Sequence, residues 1–322
     1  MKVFVAGATG AIGRPLTRQL RQAGHDVVAL ARSPERGEAV RAAGAEPVVA
    51  DAFDAVGVRE AVVGARPDVL VHQLTALPPA MDLRRYGEGL EATSRLRAQT
   101  TPIFLAAARE AGVRRVVFQS VSFLTAPTGP ALHDETAPII TDPPSALRAV
   151  VEAIVGMERA VLHAEALEGV VLRYGFFYGP GTYYARDGSI VADVRRRRFP
   201  IVGDGAGRSS FVNVDDAAAA TVLALDRGAP GIYNVTDDEP APQSAWLPEL
   251  ARVLGAPPPR RIPRWVARLA VGPHAVHLST TLRGNANTKA RRELGFAPRY
   301  PTYRDGFAAT LGHQPAMASA IA

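Results

Sequence analysis

The 322-residue chain contains no cysteine, which excludes disulfides, thiolate nucleophiles and cysteine metal sites and suits a reducing cytoplasm. Lysine is almost missing: Lys2 and Lys289 stand against thirty-five arginines, so the whole middle of the chain lacks an ammonium group. No run approaches the ~18 apolar residues of a membrane span. Met1 to Ala6 lead straight into a strand and a glycine turn, an opening that leaves no room for a signal peptide. Metal-ligand clusters, internal repeats, nucleophile elbows and heptad arrays are all missing. The formal charge of +6 is spread along the chain with acids between the bases and no basic–aromatic stripe, so neither nucleic acid nor membrane is an expected partner. The one dense run, Arg195 to Arg198, reads as cations offsetting a helix C-terminus, with an anionic ligand as the alternative.

What is present is apolar and rhythmic. Hydrophobic residues make up 47% of the chain, ample for a large α/β unit with an appended lobe. Lys2 to Ala6 is a short buried-strand pattern, after which Gly7, Gly10 and Gly13 fall at three-residue intervals. Ile12, Leu16 and Leu20 then recur at helical spacing, Pro15 sits in the first turn, and Gly24 can end the helix before a second strand, Asp26 to Ala31. In this βαβ start the glycines have separate jobs. Gly7 allows the tight turn, Gly10 allows close approach to a pyrophosphate, and Gly13 allows helix–strand packing. The stretch Gly7, Thr9, Gly10, Ala11, Ile12 and Gly13 is therefore the expected phosphate cradle, at a helix N-terminus that favours anions. At the end of the second strand an acidic residue would bind ribose hydroxyls; here stand Arg32 and Ser33, with Arg36 one turn on, which predicts NADP(H) rather than NAD(H). Asp51 and Ala52 close a third strand near the adenine, and Gln73, Leu74 and Thr75 close a fourth beside the middle of the cofactor. Further strands at "VRRVVFQSVSF" and "GVVLRYGFFYGPG" complete a Rossmann-type, doubly wound parallel sheet.

Several ordered stretches, "GATGAIG", "VHQLTA", "VVFQSVS", "LRYGFFYGPG", "PIVGDGAGRSSFVNVDDAAAA" and "NTKARRELGFAPRYPTYRDGF", make the chain resemble the extended short-chain dehydrogenase/reductase superfamily, the NAD(P)-dependent epimerase/dehydratase group, over nearly its whole length. The resemblance implies a catalytic Ser or Thr, a Tyr that transfers the proton, and a Lys four residues later that lowers the Tyr pKa. A phenol near pKa 10 needs such a cation to act as a base at neutral pH, and the i, i+4 spacing puts both on one helical face. Registered on "GMERAV", those two positions hold Val150 and Ile154. No Tyr lies between Tyr86 and Tyr174, so no shift of register restores the pair. On the serine strand the catalytic position falls on Val121, flanked by Ser120 and Ser122, which share the opposite face unless the strand end re-aims one of them. A family asparagine is replaced by Arg97, and the Arg-Asp pair typical of nucleotide-sugar enzymes by Ser209-Ser210 with Arg208 one residue early.

The candidate catalytic residues are thus Ser120, Ser122, Tyr178 and Tyr183, with Tyr184 and the loop pair His133–Asp134 behind them. Tyr178 also reads as a structural turn residue, and each serine as a strand-end backbone partner. The expected activity is NADP(H)-dependent reduction of a carbonyl or enone-type small molecule with an unusual proton donor. A non-redox cyclase, isomerase or dehydratase, and a catalytically silent NADP sensor, remain open. The expected domains are residues 1–174 plus about 211–236 for the dinucleotide, with 175–210 and 237–322 forming a smaller substrate lobe. In the returning 211–236 segment Asp215-Asp216 should cap the following helix; in the lobe Trp265 should face the core, and Asn287 should cap a helix bearing an exposed Lys289. The expected location, from the missing cysteines, is the cytoplasm, and the resemblance implies a homodimer through the long helices flanking the fifth strand.

Overall fold

The computed structural model describes residues 1–312. Its centre is one all-parallel sheet built from β1 (Lys2–Ala6), β2 (Asp26–Ala31), β3 (Glu46–Val49), β4 (Val69–His72), β5 (Arg115–Val121), β6 (Glu168–Tyr174) and β7 (Gly231–Val235). The spatial order is β3-β2-β1-β4-β5-β6-β7, with Val5 of β1 opposite Ala29 on one side and Val71 on the other. Strand order reverses between β1 and β4, which opens a crevice beyond their carboxyl ends.

Helices α1 (Gly13–Gln22), α2 (Pro34–Ala42), α3 (Ala55–Ala65), α4 (Tyr86–Glu110), α5 (Ser145–Leu162), α6 (Ser189–Arg195) and α7 (Val214–Leu223) accompany the strands. Alternate residues of β1 feed two separate cores: Val3 and Val5 pack with Leu16, Leu20 and the alanines of α7, while Phe4 packs with Leu70, Phe104 and Phe118. A sheet covered on both faces explains why these strands read as continuous apolar runs.

The remaining helices are α8 (Gln243–Val253), α9 (Arg264–Ala270), α10 (Pro273–Thr280) and α11 (Tyr303–Leu311); α8 and α11, together with α6, surround an aromatic core of Tyr178, Phe211, Trp246, Tyr303 and Phe307. The chain enters this lobe at Gly175. A Cβ there would lie 2.5 Å from the Ser210 carbonyl, so only glycine lets Phe176–Tyr178 leave β6 and pair with Phe211–Asn213 instead. "GVVLRYGFFYGPG" is therefore two strands rather than one.

Three local expectations are corrected. Asn213, not Asp215 or Asp216, caps α7, accepting the Asp215 N–H at 2.8 Å. Asp215 pairs with Arg18, and Asp216 accepts the backbone N–H groups of Arg299 and Tyr300. Trp265 is 66% exposed on α9, beside Leu269, because α9 buries only Ala267. Asn287 is buried and donates to the Thr236 carbonyl, while half-buried Lys289 donates to the Ile232 carbonyl and lies 4.4 Å from the Tyr233 ring centre.

Asp237 has a consequence for stability. It is 1% exposed, its Oδ2 makes no hydrogen bond, and burial raises its carboxyl from 3.8 to about 9. A carboxyl held neutral in the folded chain favours folding below its unfolded pKa and loses that contribution as pH climbs toward 9. Asp237→Asn should therefore leave stability unchanged at pH 4 and raise it at pH 8 by at least about 1.4 kcal/mol, as read from urea titrations at the two pH values.

Candidate active site

The glycine turn after β1 is shaped by contacts that admit no side chain. Gly7 has φ of +103°, and a Cβ on it would lie 2.8 Å from the Gln73 carbonyl carbon. On Gly13 a Cβ would lie 2.0 Å from the Gly7 carbonyl oxygen and 2.6 Å from the Ala8 carbonyl carbon. The first turn of α1 is therefore pressed onto the strand end, and no side chain caps it. Gly10, Ala11, Ile12 and Gly13 line a cavity of about 570 Å³, joined by Gln73 and Thr75 from the end of β4. An uncapped helix start facing a cavity across bare glycine backbone fits the pyrophosphate of a dinucleotide. Thr9 stands beside the turn with its carbonyl accepting from Arg14, and Leu74 packs into the core with Phe4 and Phe118.

The ends of β2 and β3 lie next along the sheet. Ser33 caps α2, its Oγ accepting the Arg36 N–H at 3.4 Å. Arg32 and Arg36 are exposed, and neither makes an ion pair among the described residues. Exposed Asp51 holds its own turn by accepting the Phe53 N–H at 3.0 Å, and Ala52 packs against the apolar core.

The phase of β5 decides what the serines do. Gln119, Val121 and Phe123 face the cavity, so Ser120 and Ser122 point away from it. Ser120 Oγ donates to Glu158 Oε1 at 2.7 Å, and Glu158 in turn holds Arg173 through bonds of 2.8 and 2.5 Å, all three residues buried. Ser122 Oγ is buried without a partner. From α5, Leu147 and Val150 line the cavity, and Ile154 is fully buried against Tyr86, Leu90 and Leu124.

The phenols are similarly occupied. Tyr178 is fully buried, its hydroxyl packed where Gly306 leaves room, and burial drives its pKa up; it does not line the cavity. Tyr183 and Tyr184 do line it. Tyr183 donates its hydroxyl to the Pro78 carbonyl at 2.8 Å, tying two loops together, and burial pushes it up to about 12. Tyr184 meets Phe211 and Trp246 edge-on. His133 Nε2 bonds the Thr128 carbonyl and Asp134 accepts from Thr136, so that pair serves its own turn, away from the cavity.

Sequence reading noticed Arg97 only as a replaced asparagine. The helical series Tyr86, Leu90, Thr93, Arg97, Thr101, Phe104 is the buried face of α4, and a charge in that series was the available signal. Arg97 is 5% exposed and lines the cavity. Burial lowers its pKa to about 10, which leaves it charged at neutral pH. Trp246, Phe176 and Leu278, all distant in sequence, complete walls that are mainly apolar.

Residues 3–236 match the model of the NAD dependent epimerase/dehydratase family. The chain belongs to that family. It is 49% identical over 308 residues to the 3-diazoavenalumate denitrifying reductase of a Streptomyces species, covering 95% of this chain and 99% of the relative. It is 30% identical over 344 residues to the 4-hydroxy-2-methyl-3-oxo-4-farnesyl-3,4-dihydroquinoline-1-oxide ketoreductase of Stigmatella aurantiaca, covering 100% and 99% of the two chains. The fold is shared with the UDP-glucose 4-epimerase of Thermus thermophilus in complex with NAD, at a TM-score of 0.73, 24% identity and coverage of 97% and 98%. This chain is an oxidoreductase of the extended short-chain dehydrogenase/reductase type.

Proposed function

We propose that this chain is an NADP(H)-dependent reductase that replaces a diazo group by hydrogen and releases dinitrogen. The observation that carries this reading is the state of the proton-transfer positions: Val121 and Val150 face the cavity, and its Tyr183 hydroxyl is already bonded to Pro78. Carbonyl reduction leaves an alkoxide that must be protonated, which such a wall serves poorly. A diazonium carbon asks for no acid: NADPH supplies one hydride, so RN2+ and NADPH give RH, N2 and NADP+, with the C–N bond broken, a C–H bond formed and no proton drawn from the protein. The 49% identical relative is named for a denitrifying reduction of a diazo compound.

Within this scheme the Gly7–Gly13 turn holds the pyrophosphate, and exposed Arg32 and Arg36 receive the 2′-phosphate. The aliphatic wall of Leu90, Leu147 and Val150 keeps water from a reactive cation that would otherwise be hydrolysed. A second reading, carbonyl reduction with a relayed water, is favoured by the name of the 30% identical ketoreductase.

The test is turnover of diazotised 3-amino-4-hydroxybenzoate with NADPH or NADH, following nucleotide oxidation and isotopically labelled dinitrogen together. One N2 per NADPH is expected, with NADPH preferred over NADH at least tenfold in kcat/KM, about 1.4 kcal/mol, and that preference lost in Arg32→Asp. The rate should be flat from pH 6 to 9, because burial pushes the cavity phenols Tyr86 and Tyr183 up to about 12 and raises Tyr184 as well, while Arg97 is lowered only to about 10. Reduction of a ketone panel without any release of dinitrogen would move the assignment to the second reading.

A further inference from the structure

Arg97 is the one cation among the described residues lining the cavity, and its guanidinium makes no hydrogen bond or ion pair among them. A buried guanidinium without a partner is costly, and this one could have been an aliphatic residue like its neighbours Leu90 and Val150. The carboxylate whose field reaches it, Glu158, is committed with both oxygens to Arg173 and with one also to Ser120. Asp187, the carboxylate that lines the cavity among the described residues, is exposed. The charge on Arg97 is thus left for something that enters.

We propose that Arg97 anchors a carboxylate on the substrate, so that the enzyme selects planar, unsaturated organic acids. The planar guanidinium fork matches a carboxylate through two parallel hydrogen bonds, strengthened where water is excluded. Aromatic rings are at hand for a flat ligand: Phe123 and Phe176, both lining the cavity, stack on each other with centres 4.5 Å apart and planes 9° from parallel. Arg97 lies outside the glycine turn proposed to cradle the cofactor phosphates. Their cradle lies at the end of β1, whereas Arg97 belongs to α4, which packs along α5, the helix that presents Leu147 and Val150 to the cavity. The inference rests on reading this cavity as the substrate site, but not on the diazo chemistry.

Calorimetric titration of the enzyme saturated with NADP+ tests it, using cinnamate and cinnamamide, which share a shape and differ in charge. Cinnamate should bind at least tenfold tighter than the amide. Arg97→Gln should erase that difference without weakening NADPH or cinnamamide, and Arg97→Lys should keep part of it. Equal affinity for acid and amide in the unaltered protein overturns the proposal, a comparison that requires no variant to fold. Weakened NADPH binding in Arg97→Gln with the acid preference intact also overturns it, by assigning Arg97 to the cofactor. An acid preference in a protein that releases no dinitrogen sustains the anchor while removing the diazo reading.

Discussion

Gly13→Ala is expected to raise the NADPH dissociation constant at least 100-fold, about 2.7 kcal/mol, and to lower the melting temperature at the same time. The added methyl would meet the Gly7 carbonyl oxygen at 2.0 Å and the Ala8 carbonyl carbon at 2.6 Å, both backbone atoms with no freedom to turn aside. Relief requires α1 to lift from the strand end, which pulls Leu16 and Leu20 out of their fully buried places and displaces the helix N-terminus from the proposed phosphate site. Gly10→Ala provides the contrast. Its methyl would meet only the Gly7 carbonyl, at 3.3 Å, so the fold should survive while the methyl intrudes on the cavity proposed for the pyrophosphate. Fluorescence titration with NADPH, paired with thermal melts, separates the two. Undiminished binding in Gly13→Ala would mean that the nucleotide does not use this turn.

The tight turn at Gly7 and the close packing at Gly13 were legible in the sequence, because they follow from local geometry: strand, turn and helix are contiguous, and the spacing of Gly7, Gly10 and Gly13 leaves few alternatives. The βα rhythm was legible for a similar reason, since each strand of an all-parallel sheet buries both faces and shows as an unbroken apolar run. Other features depend on partners far along the chain. Whether Ser120 or Val121 faces the ligand is a matter of phase, which neighbouring strands and their loops set, and alternation within "VVFQSVSF" fits either choice. Lys289 looked like a surface residue until the Ile232 carbonyl and the Tyr233 ring, more than fifty positions earlier, came into view. Trp265 erred in the other direction: its size suggested the core, but α9 spends only Ala267 on packing. Arg97 was visible as an oddity and no more, because its significance lies in the carboxylates that are already taken.

The same commitment of carboxylates sets the second large effect. Arg173→Met should destabilise the fold by about 3–5 kcal/mol, the usual consequence of leaving one member of a buried ion pair alone. Glu158 would keep only the Ser120 hydroxyl, with both of its former guanidinium bonds gone. The double variant Glu158→Leu, Arg173→Met should recover most of the loss in urea titrations, since it removes both charges together. Ser120→Ala should cost about 1 kcal/mol and leave kcat unchanged, because that hydroxyl faces Glu158 and not the cavity. Arg173→Met has a further readout: the freed carboxylate exerts its field on Arg97 and competes with an incoming acid, so the variant should bind cinnamate more weakly while its affinity for cinnamamide holds. A loss shared equally by acid and amide would instead trace to general loosening of the cavity wall. If Ser120→Ala abolished turnover in a protein as stable as the original, the serine would have to be returned to the reaction.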